Sequence, residues 1–118
     1  MTKVYDLHQR GIRLTTTAAN ARELHGRLVN VFDLNEAEAA QETDRIVGFF
    51  ELIDDEAFEH LQPQAKARLS VGGKSDWPAL AAAMAFEGSV WTDDRDFFGV
   101  GVPVWSSANI RFVEAEAL

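Results

Sequence analysis

Short β-branched or aromatic runs alternate with amphipathic helical stretches along this chain, and that alternation restricts its fold more than any other feature. Ile12-Arg13-Leu14-Thr15-Thr16 reads as a short strand, Ser89-Val90-Trp91-Thr92 as a short buried one, and Val102-Pro103-Val104-Trp105 as another. Residues 3–10 read as the end of a helix stopped by Gly11, and Thr17 as the N-cap of a helix over about Ala18–Leu28 with an apolar stripe of Ala21, Leu24 and Leu28. From Asn35 to Ile53 the apolar positions Ala39, Thr43, Ile46, Val47, Phe50 and Ile53 keep helical spacing, opposite a solvated face of Glu36, Glu38, Glu42, Asp44 and Arg45. Asp54 and Asp55 can cap a further helix carrying Phe58, Leu61, Ala65 and Leu69, with Pro63 shortening or kinking it. Val71 to Ser75 reads as a loop, and Asp76-Trp77-Pro78 opens an Ala-rich helix, Ala79 to Glu87, closed by Gly88. After the charged turn Asp93-Asp94-Arg95-Asp96, Phe97 and Phe98 are expected to return to the core, and Ile110-Arg111-Phe112-Val113 to form an edge strand. Strands alternating with helices imply a parallel sheet covered on both faces, an α/β architecture in which ligands bind beyond the carboxyl ends of the strands.

At 118 residues the chain fits one domain, and 47% hydrophobic residues supply a core. It has no cysteine, which excludes disulfides and thiolate metal sites and fits a cytoplasmic location. No apolar run approaches the roughly 20 residues that cross a bilayer, and Met1 to Asp6 has no apolar signal core, so no membrane association is expected. The net charge is −8, which opposes tight non-specific binding to a polyanion. Clustered carboxylates escape that constraint, because they attract a hard cation that reverses the local charge.

The acids do fall at one rim of the expected sheet. Asp93, Asp94 and Asp96 lie just past the end of a strand, Asp76 at the start of the preceding helix, and Glu23 on the helix that follows the first strand. Carboxylates brought together repel unless a cation intervenes. Oxygen ligands without Cys or a His pair favour Mg²⁺ or Mn²⁺ over zinc, and a metal so held activates water and stabilises charge on a phosphate. The chemistry indicated is phosphodiester hydrolysis.

The stretch Ser75-Asp76-Trp77-Pro78-Ala79-Leu80-Ala81-Ala82-Ala83, followed by Val90-Trp91-Thr92-Asp93-Asp94-Arg95-Asp96-Phe97-Phe98-Gly99-Val100-Gly101-Val102, resembles the C-terminal half of a PIN domain. The strand and the helix carrying Glu23 in Ala21-Arg22-Glu23-Leu24-His25-Gly26-Arg27-Leu28 match more loosely. The resemblance implies a three-layer α/β/α fold with a central parallel sheet, and a Mg²⁺- or Mn²⁺-dependent ribonuclease of the kind found as the toxin of toxin–antitoxin pairs. It further implies an RNA substrate, an antitoxin protein partner and a homodimer. Glu23, Asp76, Asp94 and Asp96 are then the catalytic and metal-binding acids, with Thr92 orienting the turn. The family pattern begins with a strand ending in a further metal-binding Asp, whereas this chain begins where the second helix should be ending. Asp6 after Val4-Tyr5 imitates that strand, but the sixteen residues between Asp6 and Glu23 are too few for the usual helices. The expectation is one PIN-like domain over residues 1–118 lacking its first strand and Asp, with an exposed sheet edge that invites pairing. The alternative function is a catalytically impaired binding or dimerisation module. A DNA-directed nuclease of the same chemistry is a third reading.

The remaining conspicuous residues are read plainly. His8, His25 and His60 lack metal spacing and are assigned to the surface. Trp77, Trp91 and Trp105 are read as core, and Arg22, Lys74 and Arg95 as cations that could meet phosphates. Gly72-Gly73 does not have phosphate-loop spacing.

Overall fold

A computed structural model describes residues 2–114. They form two compact units, residues 2–53 and Asp54–Glu114, each built around a two-stranded parallel ladder. The fold is α/β with parallel strands, as the alternation implied.

In the first unit, helix α1 (Thr2–Gln9) buries Val4 and Leu7 one turn apart. It stops at Gly11, which takes the left-handed conformation at φ +78. The amides of Gly11 and Ile12 bond back to the carbonyls of His8 and Leu7 at 3.1 and 3.0 Å, closing the helix with paired reverse bonds that only glycine adopts without strain. Strand β1 (Thr15–Thr17) is shorter and later than the sequence suggested, because Thr17 serves as both strand end and N-cap. Its hydroxyl accepts from the Asn20 amide at 3.1 Å and starts α2 (Ala18–Asn30). Asn35 and Glu38 form a reciprocal capping box at the start of α3 (Glu36–Val47), which buries Ala39 and Thr43 on one face.

The helix expected to run to Ile53 instead ends at Gly48, and Glu51–Ile53 forms strand β2. It pairs in parallel with β1 in the register Thr15↔Glu51, Thr16↔Leu52 and Thr17↔Ile53. Phe50 and Ile53 continue the helical period by coincidence, and a three-residue strand is too short to impose an alternation of its own.

In the second unit, two single turns of 3₁₀ helix, Asp55–Ala57 and Glu59–Leu61, replace the capped helix expected after Asp54. Helix α4 (Gln62–Arg68) follows, with Pro63 tolerated in its first turn. Residues 71–75, expected as a loop, are wound together with Asp76 into 3₁₀ helix that leads directly into α5 (Trp77–Ala85). Helix α5 buries Pro78, Leu80, Ala81, Ala82 and Ala83. Phe58 is fully buried and meets Trp77 with ring centroids 5.9 Å apart; burying a side chain of that size contributes roughly 1.5–3 kcal/mol. The three tryptophans are half-buried.

Strand β3 (Val90–Trp91) pairs in parallel with β4 (Val104–Trp105). Parallel neighbours need a crossover of about a dozen residues, and residues 92–103 supply it. Within that crossover Phe97 and Val100 are buried, but Phe98 is 67% exposed, contrary to expectation. The turns on either side of Val100, at Gly99 (φ +76) and Gly101 (φ +86), bring only one of the two adjacent phenylalanines inward. The edge strand expected at Ile110–Val113 is a 3₁₀ turn, Ile110–Phe112. Ser106 and Asn109 exchange side-chain-to-backbone bonds at 2.8 and 3.3 Å, and this local bonding turns the chain before it can extend.

Candidate metal centre

The crossover between β3 and β4 carries two of the site's acids, and its geometry is set from the strand end outward. Thr92's amide donates to the Trp105 carbonyl at 2.9 Å, and its hydroxyl accepts from the Asp94 amide at 3.1 Å. Asp94 Oδ1 then accepts from the Asp96 amide at 2.9 Å and caps the 3₁₀ turn Arg95–Phe97. Asp93 turns the other way, its Oδ1 accepting from the Ser107 amide at 2.7 Å and fixing the segment after β4. The run of acids therefore divides by role: Asp93 is structural, whereas Asp94 and Asp96 are held two residues apart by a chain of side-chain-to-amide bonds.

Asp76 arrives from a different segment, at the junction of the 3₁₀ turn and α5. Its side chain makes no capping bond to α5. One carboxylate oxygen each from Asp76, Asp94 and Asp96 lie within 4.8 Å of one another; Asp94 is exposed and the other two are half-buried. Two negative charges at that separation repel by about 1 kcal/mol where water screens them fully and by about 3.5 kcal/mol at the effective dielectric of about 20 typical of a protein surface. The donor set is all carboxylate oxygen, open to water on one side. That fits a hard, incompletely dehydrated divalent cation such as Mg²⁺ or Mn²⁺.

Of the four acids singled out in the sequence, three thus converge within the second unit. Glu23 is exposed on α2 of the first unit. Lys74, read as a phosphate contact, is committed elsewhere: its ammonium donates to the carbonyls of Lys66 at 2.7 Å and Leu69 at 3.2 Å, where it neutralises the C-terminal end of α4. Arg95 is exposed in the same turn as Asp94 and Asp96. Two residues at the site escaped the sequence reading. Ser70 Oγ donates to Asp96 Oδ1 at 3.1 Å, and the buried Gly73 lies against the Asp96 side chain. They stand more than twenty positions from Asp96, and neither residue type carries a spacing signal.

A PIN domain family model matches residues 2–115. The chain belongs to the PIN domain family, whose members are nucleases that generally depend on a divalent metal. No curated protein and no solved structure matches the chain. Among the described residues, no helix is long and apolar enough to cross a membrane.

Proposed function

We propose that this chain is a Mg²⁺- or Mn²⁺-dependent endoribonuclease. The observation that carries this reading is the convergence of Asp76, Asp94 and Asp96 within 4.8 Å in a member of a nuclease family. In the proposal these three carboxylates hold the ion; a part for Glu23 rests on the family resemblance alone. A bound ion of this class supplies Lewis-acid activation of water and stabilises negative charge on the phosphate. The chain's own residues do the rest. Thr92 and the Asp94–Asp96 turn keep two ligands in register, while Arg95 offers a cation to the phosphate from the same turn. The acidic surface, at −8 overall, repels RNA wherever the ion does not compensate, which confines productive contact to the site. A toxin role, with an antitoxin partner and a homodimer, is part of the same proposal and rests on the family resemblance.

The test is cleavage of single-stranded RNA by the full chain with Mn²⁺ or Mg²⁺, with chelator, and with Asp94→Asn, alongside calorimetry of Mn²⁺ binding. Metal-dependent cleavage lost in both controls supports the reading. Cleavage that survives chelator and the substitution overturns it. Mn²⁺ binding without cleavage of RNA or DNA overturns the enzyme assignment in favour of a binding module. Glu23→Gln leaving Mn²⁺ affinity unchanged removes that residue from the ligand set.

A further inference from the structure

The turn that precedes α5 does more than deliver Asp76. Residues 71–76 wind as 3₁₀ helix after Ser70, with the Gly73 amide bonded to the Ser70 carbonyl at 3.0 Å. Ser70 Oγ donates to Asp96 Oδ1 at 3.1 Å. Gly73 is buried, and a Cβ placed on it would stand 2.7 Å from Asp96 Oδ2 and 3.0 Å from both Cβ and Cγ of Asp96. Real Cβ atoms do not tolerate such distances. A new rotamer of Asp96 relieves the clash with its carboxylate, but Asp96 Cβ moves only with the backbone. Any side chain at position 73 must therefore push the crossover away from the turn or swing the Asp96 carboxylate out of its place beside Asp76 and Asp94.

We infer that Ser70 and Gly73 are positioning residues of the metal centre: together they form a cradle that seats the Asp96 carboxylate, the hydroxyl orienting it and the missing side chain making room for it. The inference rests on the metal-site reading above. Its physical basis is that a ligand's partners fix its orientation, with typical losses of about 10–100-fold in metal affinity or activity when they are removed. The turn and the Ser70 that precedes it thus set two of the three converging acids, Asp76 through the chain and Asp96 through contact. One hydrogen bond and one close approach couple the turn before α5 to the crossover after β3.

Mn²⁺ affinity of the full chain, measured by calorimetry and by the free-ion electron paramagnetic resonance signal, tests this without reference to turnover. Ser70→Ala is expected to weaken binding about tenfold, and Ser70→Thr, which keeps the hydroxyl, to restore it to within about threefold of wild type. Gly73→Ala is expected to weaken binding at least as much as Ser70→Ala. In an Asp96→Gly background, which removes the side chain that Gly73 accommodates, Gly73→Ala is expected to change affinity less than twofold further, about the limit of additivity for uncoupled sites. Circular dichroism confirms that each variant folds. If Gly73→Ala does not fold, the Ser70→Ala and Ser70→Thr pair decides alone. A wild-type chain that binds no Mn²⁺ up to millimolar concentration overturns the metal-site reading and this inference with it. A wild type that binds, with Ser70→Ala equal to it or Ser70→Thr no better than Ser70→Ala, overturns the inference alone. Full additivity of Gly73→Ala and Asp96→Gly also overturns it.

Discussion

The two units use the same device at the end of their first strand and draw different results from it. In each, a threonine at the carboxyl end of a parallel strand accepts a backbone amide from a residue two or three positions later. Thr17 accepts from Asn20 at 3.1 Å, and Thr92 accepts from Asp94 at 3.1 Å. Thr17 is only 2% exposed, Asn20 Oδ1 accepts its hydroxyl proton at 2.6 Å, and the chain proceeds into a thirteen-residue helix. Thr92 is half-buried, and the chain proceeds into a single 3₁₀ turn that leaves Asp94 exposed beside Asp96. The hydroxyl does the same local work in both places. The residues after the threonine decide the outcome: Ala18-Ala19-Asn20 favours helix propagation, whereas Asp93-Asp94-Arg95-Asp96 bonds to its own backbone and stays a turn. One unit turns a capped strand end into a helix, and the other turns it into a turn that presents two acids side by side.

The sharpest way to break this comparison is at Asp94. Asp94→Asn keeps the Oδ1 that accepts from the Asp96 amide, so the turn survives, but it removes one charged ligand. Metal-dependent RNA cleavage is expected to fall at least about 10²-fold, the scale of losing one electrostatic stabiliser at a reacting centre. In chelator the thermal midpoint is expected to hold or rise, because two carboxylates repel less than three. Cleavage near wild-type levels, or a midpoint that collapses, would show that Asp94 shapes the fold rather than the site.

The threonines come next, and they should separate. Thr92→Ala is expected to lower Mn²⁺ affinity about tenfold through the loosened Asp94 amide, with a thermal midpoint close to wild type. Thr17→Ala is expected to cost about 1 kcal/mol as a lost N-cap, which lowers the midpoint by about 4 °C in a chain of this size. Its Mn²⁺ affinity should change less than about threefold. Denaturation and Mn²⁺ titration of both variants check the pair; equal effects on both readouts would erase the distinction between the two strand ends.

The parts of this arrangement that were legible in the sequence are those fixed by neighbours along the chain. Thr17 as a cap, Pro78 in a first turn and Gly11 as a stop each depend on a few consecutive residues. The convergence of Asp76 with Asp94 and Asp96 was legible because strand and helix order puts those positions at one rim. Strand β2 was not, because Glu51-Leu52-Ile53 is stabilised by its partner strand and not by its own pattern; the Glu51 amide bonds to the Leu14 carbonyl at 2.8 Å. The partners of Lys74 were not legible for a related reason: the open carbonyls at the end of α4 come within its reach only through the fold. The Ser70–Gly73 cradle depends on a close approach between turns, which no local pattern announces. Phe98 shows the converse, since hydrophobicity alone cannot tell which of two adjacent phenylalanines the glycine turns will bring inward.

The smallest expected effect separates the two ladders themselves. The ladder of β3 and β4 is apolar at both paired positions, Val90↔Val104 and Trp91↔Trp105. The ladder of β1 and β2 opens beside an ion pair. Arg13 Nε donates to both oxygens of Glu51 at 3.1 and 3.0 Å, and Nη2 donates to Oε2 at 2.7 Å. Those hydrogen bonds, and then the charge of Arg13, hold the Glu51 carboxyl below its usual range. A carboxyl depressed on folding stabilises the folded chain at pH values above its unfolded pKa, about 4.3. That contribution is lost as pH falls through the lower folded value, where both states are protonated. Glu51→Gln is therefore expected to lower the thermal midpoint only slightly at pH 7, by about 1 °C, because the pair is exposed and solvent screens it. The difference should shrink in 1 M salt, where the screening length is about 3 Å, and vanish once the pH lies below the folded pKa. A gap between Glu51→Gln and wild type that persists in acid would mean that Glu51 braces β2 by packing or uncharged hydrogen bonding, and the contrast between a charged and an apolar ladder would be lost.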